Sequence, residues 1–302
     1  MRVRSIIIDP AASGRTVLSL LRRELACSDA HISRLKRRET GIRLNGARCY
    51  VTARVNAGDE LTVEIGDQPD GHIVPMAYPL SVVYEDEDLL VIDKPAGIAV
   101  HQSTRDPEEL TLENAVCHYL GGNISPHPVS RLDRGTSGLM AFAKSGYVHE
   151  RLRQQMHTEA YRRTYLGVAV GRVVPSSGTI ELSIGMAEGS TYQRAICSEG
   201  QRARTVYETL AVNELFTLLR LIPETGRTHQ LRLHLSAIGY PLTGDWLYGA
   251  EDRALIARPA LHSYELSLTH PLTGQELHFT SPLPEDMQRL IDVPTQKEEE
   301  EK

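Results

Sequence analysis

Cysteine is scarce in this chain and shows no pairing pattern. The four cysteines among 302 residues (Cys27, Cys49, Cys117 and Cys197) are scattered, with no C-x-x-C spacing. This argues against a disulfide framework and against a cysteine-built zinc site. No apolar run reaches the roughly 18 residues that span a bilayer. The first residues, MRVRSIIIDPAASGR, hold only a three-residue apolar stretch, too short for a secretory signal. A dinucleotide-binding glycine fingerprint, a phosphate-cradling glycine loop and any repeat of fixed period are also missing. These absences leave a globular cytoplasmic protein with no membrane partner. A composition of 41% hydrophobic and 24% charged residues agrees, and excludes a disordered or fibrous chain.

A large excess of one charge is lacking too, since 33 Lys+Arg face 39 Asp+Glu for a net charge of -6. The mean conceals an alternation. Residues 1–66 carry +5, 67–126 carry -9, 127–232 carry +5 and 233–302 carry -7. Two basic blocks in an acidic chain point to a basic face or groove aimed at a polyanion.

Hydrophobic spacing divides the chain. RTVLSLLRRELA (15–26) sets Val17, Leu20, Leu21 and Leu25 at helical intervals, with Ser13 upstream as a cap. A second helix is expected over Asp29–Arg38, with Ile32 and Leu35 on one side and Arg34, Lys36, Arg37 and Arg38 around the rest. IRLNGARCYV reads as a hairpin turning at Asn45-Gly46, and ELTVEI (60–65) alternates as a half-buried strand. Residues 1–66 thus form a small module. Residues 67–79, with three prolines, read as a linker. Strands SVVYE, LLVID, LMAFAK, RTYLGVAVG, TVYETLAV and FTLLRLI then alternate with short helices near 148–158 and 228–238, over a second domain spanning 80–291. The acidic tail 292–302 should be solvated and disordered.

Two segments carry chemistry. In HPVSRLDRGTSGLMAFAKS (127–145), Asp133 stands between Arg131 and Arg134 ahead of a Gly135–Gly138 turn. Neighbouring cations favour the ionised carboxylate, and the residue taken alone reads equally as an aspartate that caps a turn by accepting backbone N–H bonds. In TGRTHQLRLHLSAIGYPLTGDWLYG (225–249), Arg227, His229, Arg232 and His234 crowd a turn that enters a short amphipathic stretch. Histidines five apart lack the four-residue spacing of a helical zinc pair, so they read as core or hydrogen-bonding residues. GDWLYG reads as a loop braced by aromatics.

DKPAG (93–97), SRLDRGTSG (130–138), RRTYLGVAVG (162–171) and TGRTHQLRLH (225–234) with GDWLYG together resemble the RluA family of pseudouridine synthases, in that family's order. Residues 1–66 resemble the small RNA-binding module, of ribosomal-protein type, that often precedes its catalytic domain. The resemblance implies an α+β fold. A small N-terminal α/β RNA-binding module would precede a catalytic domain with a mixed, mainly antiparallel sheet flanked by short helices. The active site would lie in a cleft across that sheet, with Asp133 on a loop joining two sheet elements.

The implied activity is isomerisation of uridine within structured ribosomal or transfer RNA after base flipping, by a monomer needing no cofactor, metal or small-molecule cosubstrate. Asp133 would be the catalytic carboxylate. Arg227 would pair with it, and Tyr165 would stack on the flipped uracil or move a proton. Arg131 would enter the space the base vacates, and Lys94 would support the site. Arg34, Lys36, Arg37 and Arg38 would meet RNA phosphates. One departure is Ser130, where the family usually has His. Two other readings compete. A non-catalytic RNA-binding or ribosome-assembly protein would have no chemical reason to keep Asp133, Tyr165 and Arg227 together. A glycosidase would want a second catalytic carboxylate.

Overall fold

A computed structural model describes residues 2–67, 73–103, 106, 108–122, 124–156 and 158–292. Most of the tail (293–302) and five linker positions (68–72) lie outside the described residues. The N-terminal part runs β1 (Val3–Ile7), α1 (Val17–Arg23), α2 (Asp29–Arg37), β2 (Ile42–Leu44), β3 (Ala47–Arg48) and β4 (Glu60–Glu64). Its four strands form one antiparallel sheet in the order β1-β4-β2-β3. Asn45 and Gly46 both take positive φ, 50° and 79°, as a two-residue hairpin turn requires. The α1 cap is Thr16, not Ser13. Thr16 Oγ1 accepts from Ser19 N–H, while Ser13 closes a short turn over Pro10–Ala12. That turn uses the residues upstream of Thr16 and delays the helix. Ser28 caps α2 in the same way through His31 N–H.

The remaining elements are β5 (Ser81–Glu85), β6 (Leu89–Lys94), α3 (Leu112–Tyr119), β7 (His127–Pro128), β8 (Ser137–Ala143), α4 (Gly146–Gln155), β9 (Tyr161–Val170), β10 (Ser177–Glu181), β11 (Ile184–Met186), β12 (Arg194–Ile196), β13 (Arg204–Val212), β14 (Phe216–Pro223), α5 (Gln230–Ala237), β15 (Leu261–Thr269), β16 (Glu276–Thr280) and α6 (Glu285–Ile291). The large sheet has the order β10-β13-β14-β9-β15-β8-β6-β5, with β16 on β15 and β7 on β8. Every named ladder is antiparallel except β8 with β15, so the fold is α+β with a mixed, mainly antiparallel sheet. At that parallel contact Gly138 has φ 109°, and a Cβ there would lie 2.3 Å from the Ser263 carbonyl oxygen. Only glycine allows the chain leaving the Asp133 loop to come so close.

The apolar runs LLVI and LMAFA are continuous because both faces of this sheet are covered. Alternate residues point to opposite faces. Leu89, Val91, Leu139 and Ala141 join α4 residues Tyr147, Val148 and Leu152 on one face. Leu90, Ile92, Met140 and Phe142 join Leu112 and Val116 of α3 and Leu231 and Leu235 of α5 on the other. The first face also receives Leu20, Leu21, Leu25 and Ile65 of the N-terminal part, so the two sheets share one core. Polar contacts fasten the junction. Tyr147 Oη donates to Leu25 O at 2.6 Å, and Arg2 meets Asp88 through two bonds of 2.5 and 2.8 Å. The second face carries the cleft described next. No helix among the described residues is long and apolar enough to cross a membrane.

Candidate active site

Asp133 sits on the loop between β7 and β8, at the floor of a cleft of about 1040 Å³. Lys94, at the end of β6, fixes that loop from beneath. Its buried Nζ donates to the carbonyls of Pro95 (3.0 Å), Arg134 (3.1 Å) and Thr136 (2.8 Å), the three partners an ammonium can satisfy. Burial pushes the Lys94 ammonium down to about 8, while nearby Asp133 pulls the other way. Thr136 N–H closes the turn by donating to Asp133 O at 3.0 Å.

The cation on Asp133 is Arg232 of α5. Arg232 Nη1 lies 3.2 Å from Asp133 Oδ2, and the same guanidinium donates from Nε and Nη2 to Asp245 at 2.8 Å each. Asp245 is fully buried and Arg232 nearly so. The planar fork therefore spends two donors holding itself in place and presents the next to Asp133. The expected pairing of Arg227 with Asp133 does not form. Arg227 is exposed and donates from Nε to Arg202 O at 3.2 Å. It precedes the left-handed residue His229 (φ 58°), after which α5 begins, so it lies off the helix that faces Asp133.

His229 approaches the other carboxylate oxygen, with Nε2 at 3.9 Å from Asp133 Oδ1. The Tyr248 hydroxyl accepts from Arg194 N–H at 2.9 Å and lies 2.9 Å from His229 Nδ1. When the phenol proton is given to Nδ1, the neutral ring carries its own proton on Nε2, toward Asp133. Burial lowers the pKa of His229, against the opposing pull of Asp133. Tyr248 also receives the Arg232 guanidinium over its ring, at 5.3 Å. His234, two residues after Arg232, faces the other way. Both its nitrogens are engaged, with Thr205 Oγ1 and Leu182 O at 3.0 Å each, as a buried hydrogen-bonding histidine.

Tyr165 lies on β9 between Leu221 of β14 and Ser263 of β15, almost fully buried at the cleft wall. Arg131 and Arg227 line the same cleft. Its described lining holds seven arginines and a single carboxylate, Asp133. Such a wall attracts a polyanion and offers an acid catalyst no second carboxylate.

The arginines of α2 are elsewhere, on the N-terminal part. Lys36 and Arg37 are exposed, and Arg34 lies 3.7 Å from Asp67. Arg38 turns inward, donating to Glu64 Oε2 at 3.0 Å and Gly66 O at 3.1 Å. Glu64 is buried and needs that cation, which accounts for the inward turn of Arg38. One cluster of metal-ligand types occurs among the described residues, Asp86, Asp88 and His270. Its atoms already serve one another. Arg2 takes Asp88, and Tyr84 Oη and two backbone N–H groups take Asp86. His270 Nδ1 accepts from Leu272 and Thr273 N–H, so its Nε2 proton points at Asp86, 3.1 Å away.

The family described as RNA pseudouridylate synthase matches residues 88–237. The "Uncharacterized RNA pseudouridine synthase YjbO" of Bacillus subtilis (strain 168) is 36% identical over 271 residues, 89% of this chain and 95% of its own length. The "Ribosomal large subunit pseudouridine synthase D" of Escherichia coli (strain K12) is 34% identical over 268 residues, covering 83% and 81%. The solved structure of human RNA pseudouridylate synthase domain containing 1 superposes with TM-score 0.56 at 26% identity, covering 68% of this chain and 83% of that one.

Proposed function

The chain belongs to the RNA pseudouridine synthase family, and we propose that it isomerises specific uridines of structured RNA through Asp133, after the target base has flipped into the arginine-lined cleft. In this isomerisation the bond from uracil N1 to ribose C1′ breaks, the base turns, and C5 bonds to C1′. The C5 proton leaves and N1 gains one, so no redox partner or group donor enters.

The observation that carries the role of Asp133 is its place as the lone carboxylate of a cationic cleft, held by a buried arginine. Arg232 holds the carboxylate in one rotamer through Oδ2, and Oδ1 is left as the oxygen that engages the nucleoside. A carboxylate pre-oriented in this way makes the reaction with a bound nucleoside effectively unimolecular. Tyr165 stacks on the flipped uracil or moves a proton at it. Base flipping costs a few kcal/mol, and Arg131, exposed on the Asp133 loop, offsets part of that by filling the gap in the RNA. Arg227, at the rim, is assigned to RNA phosphate rather than to Asp133.

Residues 1–66 act in this reading as an RNA-binding module, with Lys36, Arg37 and Arg34 supplying sequence-independent affinity and residues 80–291 the catalysis. Ribosomal RNA is the first substrate to test, because relatives are named for the large ribosomal subunit. The test uses ribosomal and transfer RNA from cells lacking the enzyme, each labelled with tritium at uracil C5. Release from the ribosomal pool supports the reading. Release from transfer RNA alone moves the substrate class, and release from neither overturns the proposal.

A further inference from the structure

Trp246 is the chain's only tryptophan, and it is 55% exposed on the wall of the cleft that holds Asp133. An indole left this open costs hydrophobic free energy unless something covers it in the working complex. Its position is set by the catalytic clamp itself. Asp245 Oδ1 accepts Leu247 N–H at 3.1 Å and Tyr248 N–H at 3.3 Å while the same carboxylate holds Arg232. Gly244 makes the turn possible, with φ 72° and room for no Cβ, which would lie 2.4 Å from Arg258 O. The indole is thus indexed to Asp133 through Asp245 and Arg232 on a rigid loop.

A second aromatic lies on a segment stitched to this loop. Tyr192 is 49% exposed and lines the cleft, two residues from Arg194, whose backbone N–H donates to Tyr248 Oη. Arg194 lines the cleft as well, and its buried Nε has no hydrogen-bond partner among the described residues. An open indole, a second open ring and an arginine lining the same cationic groove match single-stranded nucleic acid, with bases on the rings and phosphate on the arginine.

Resting on the RNA substrate proposed above, we infer that Trp246 is a stacking platform for an unpaired nucleobase that flanks the modified uridine, with Arg194 taking an adjacent phosphate. Trp246 thereby fixes the register of the strand and selects sites whose neighbouring base can leave its helix. It touches no reacting atom in this assignment.

The lone tryptophan is its own reporter. The full chain carrying Asp133→Ala, which binds without turnover, is titrated with a single-stranded oligouridylate and with an RNA duplex of equal length. Binding is followed independently by the anisotropy of end-labelled RNA. The inference requires quenching of Trp246 emission and protection from acrylamide with the single strand, in step with anisotropy, and clearly less with the duplex. In otherwise wild-type enzyme, Trp246→Ala should raise the KM for RNA roughly 5- to 150-fold, the range of one stacked base, with the loss falling on KM rather than kcat. Trp246→Phe should recover most of it. Binding by anisotropy with unchanged emission overturns the platform while leaving the synthase reading intact. Absence of binding by Asp133→Ala together with absence of tritium release by the wild-type enzyme overturns both.

Discussion

Arg232 and Asp133 are joined by a 3.2 Å contact between Nη1 and Oδ2, while the same guanidinium grips fully buried Asp245 through two bonds of 2.8 Å. The charge that steadies the candidate catalyst is thus itself buried and geometrically over-determined. Removing one partner of a buried pair leaves an uncompensated charge, at a cost of about 3–5 kcal/mol.

Arg232→Met should therefore abolish tritium release and lower the melting temperature together. Arg232→Lys keeps the charge without the fork, and should restore part of the stability but little of the activity. Arg227→Ala should leave the melting temperature unchanged and raise the KM for RNA. If Arg227→Ala abolished kcat while Arg232→Met did not, the assignment of the two arginines would be reversed.

Lys94 gives the Asp133 loop a dependence on pH. Its ammonium, held down to about 8 by burial, satisfies three carbonyls of the loop. Above that pH the folded protein loses this charge, whereas the unfolded chain keeps it to about 10.4. Because the unfolded state then binds more protons, this group adds stability as pH rises from about 8 to 10.4 and removes none. Activity should fall along an alkaline limb near pH 8 with no accompanying loss of stability from Lys94. The limb should be absent from whatever activity remains in Lys94→Met.

His229 is held by its 2.9 Å contact with the Tyr248 hydroxyl. In Tyr248→Phe Nδ1 loses that partner, and the ring is no longer fixed toward Asp133. A kcat reduction of roughly tenfold, the size of one hydrogen bond, is expected with the RNA KM little changed. Since burial lowers the His229 pKa, acidification through the ordinary histidine range costs stability, the unfolded state taking up the proton first. His229→Gln should flatten that part of the stability profile.

How far the site was legible in the sequence follows from its chemistry. Helices α1 and α2, the N-terminal hairpin and strands β4, β5, β6, β8, β9, β13 and β14 follow local signals of alternation and helical spacing. Strands β1, β10–β12, β15 and β16 carry weaker ones, and Asp133 is singled out by the family resemblance rather than by its arginine neighbours. The partner of Asp133 was not legible, because choosing between Arg227 and Arg232 requires the start of α5. That start is set by the left-handed turn at His229 and by Gln230, whose Oε1 accepts from Arg227 N–H ahead of the helix, rather than by apolar spacing. Asp245 does carry a signal, since an aspartate inside the aromatic-braced loop GDWLYG implies a buried cation nearby. The docking of the N-terminal part onto the large sheet was also hidden. Leu25 and Tyr147 meet across more than a hundred residues, and no local pattern encodes that contact.

The four cations on and just after α2 divide by their partners. Lys36→Ala with Arg37→Ala should weaken RNA binding and reduce its salt slope by about 0.7–0.9 for each phosphate that these side chains neutralise, without changing stability. Arg38→Ala should instead lower the melting temperature, because it leaves buried Glu64 without its cation. Equal effects of the two changes on salt slope would contradict this division.

The most direct test of the account is a single-turnover comparison of wild type with Asp133→Asn on RNA labelled with tritium at uracil C5, with RNA binding measured on the same preparations. Asparagine preserves the shape of the side chain and removes the charge that Arg232 holds. Asp133→Asn should retain RNA binding and give no detectable tritium release. Release by Asp133→Asn at a rate near that of wild type would contradict it, and would place the catalytic group elsewhere in the cleft.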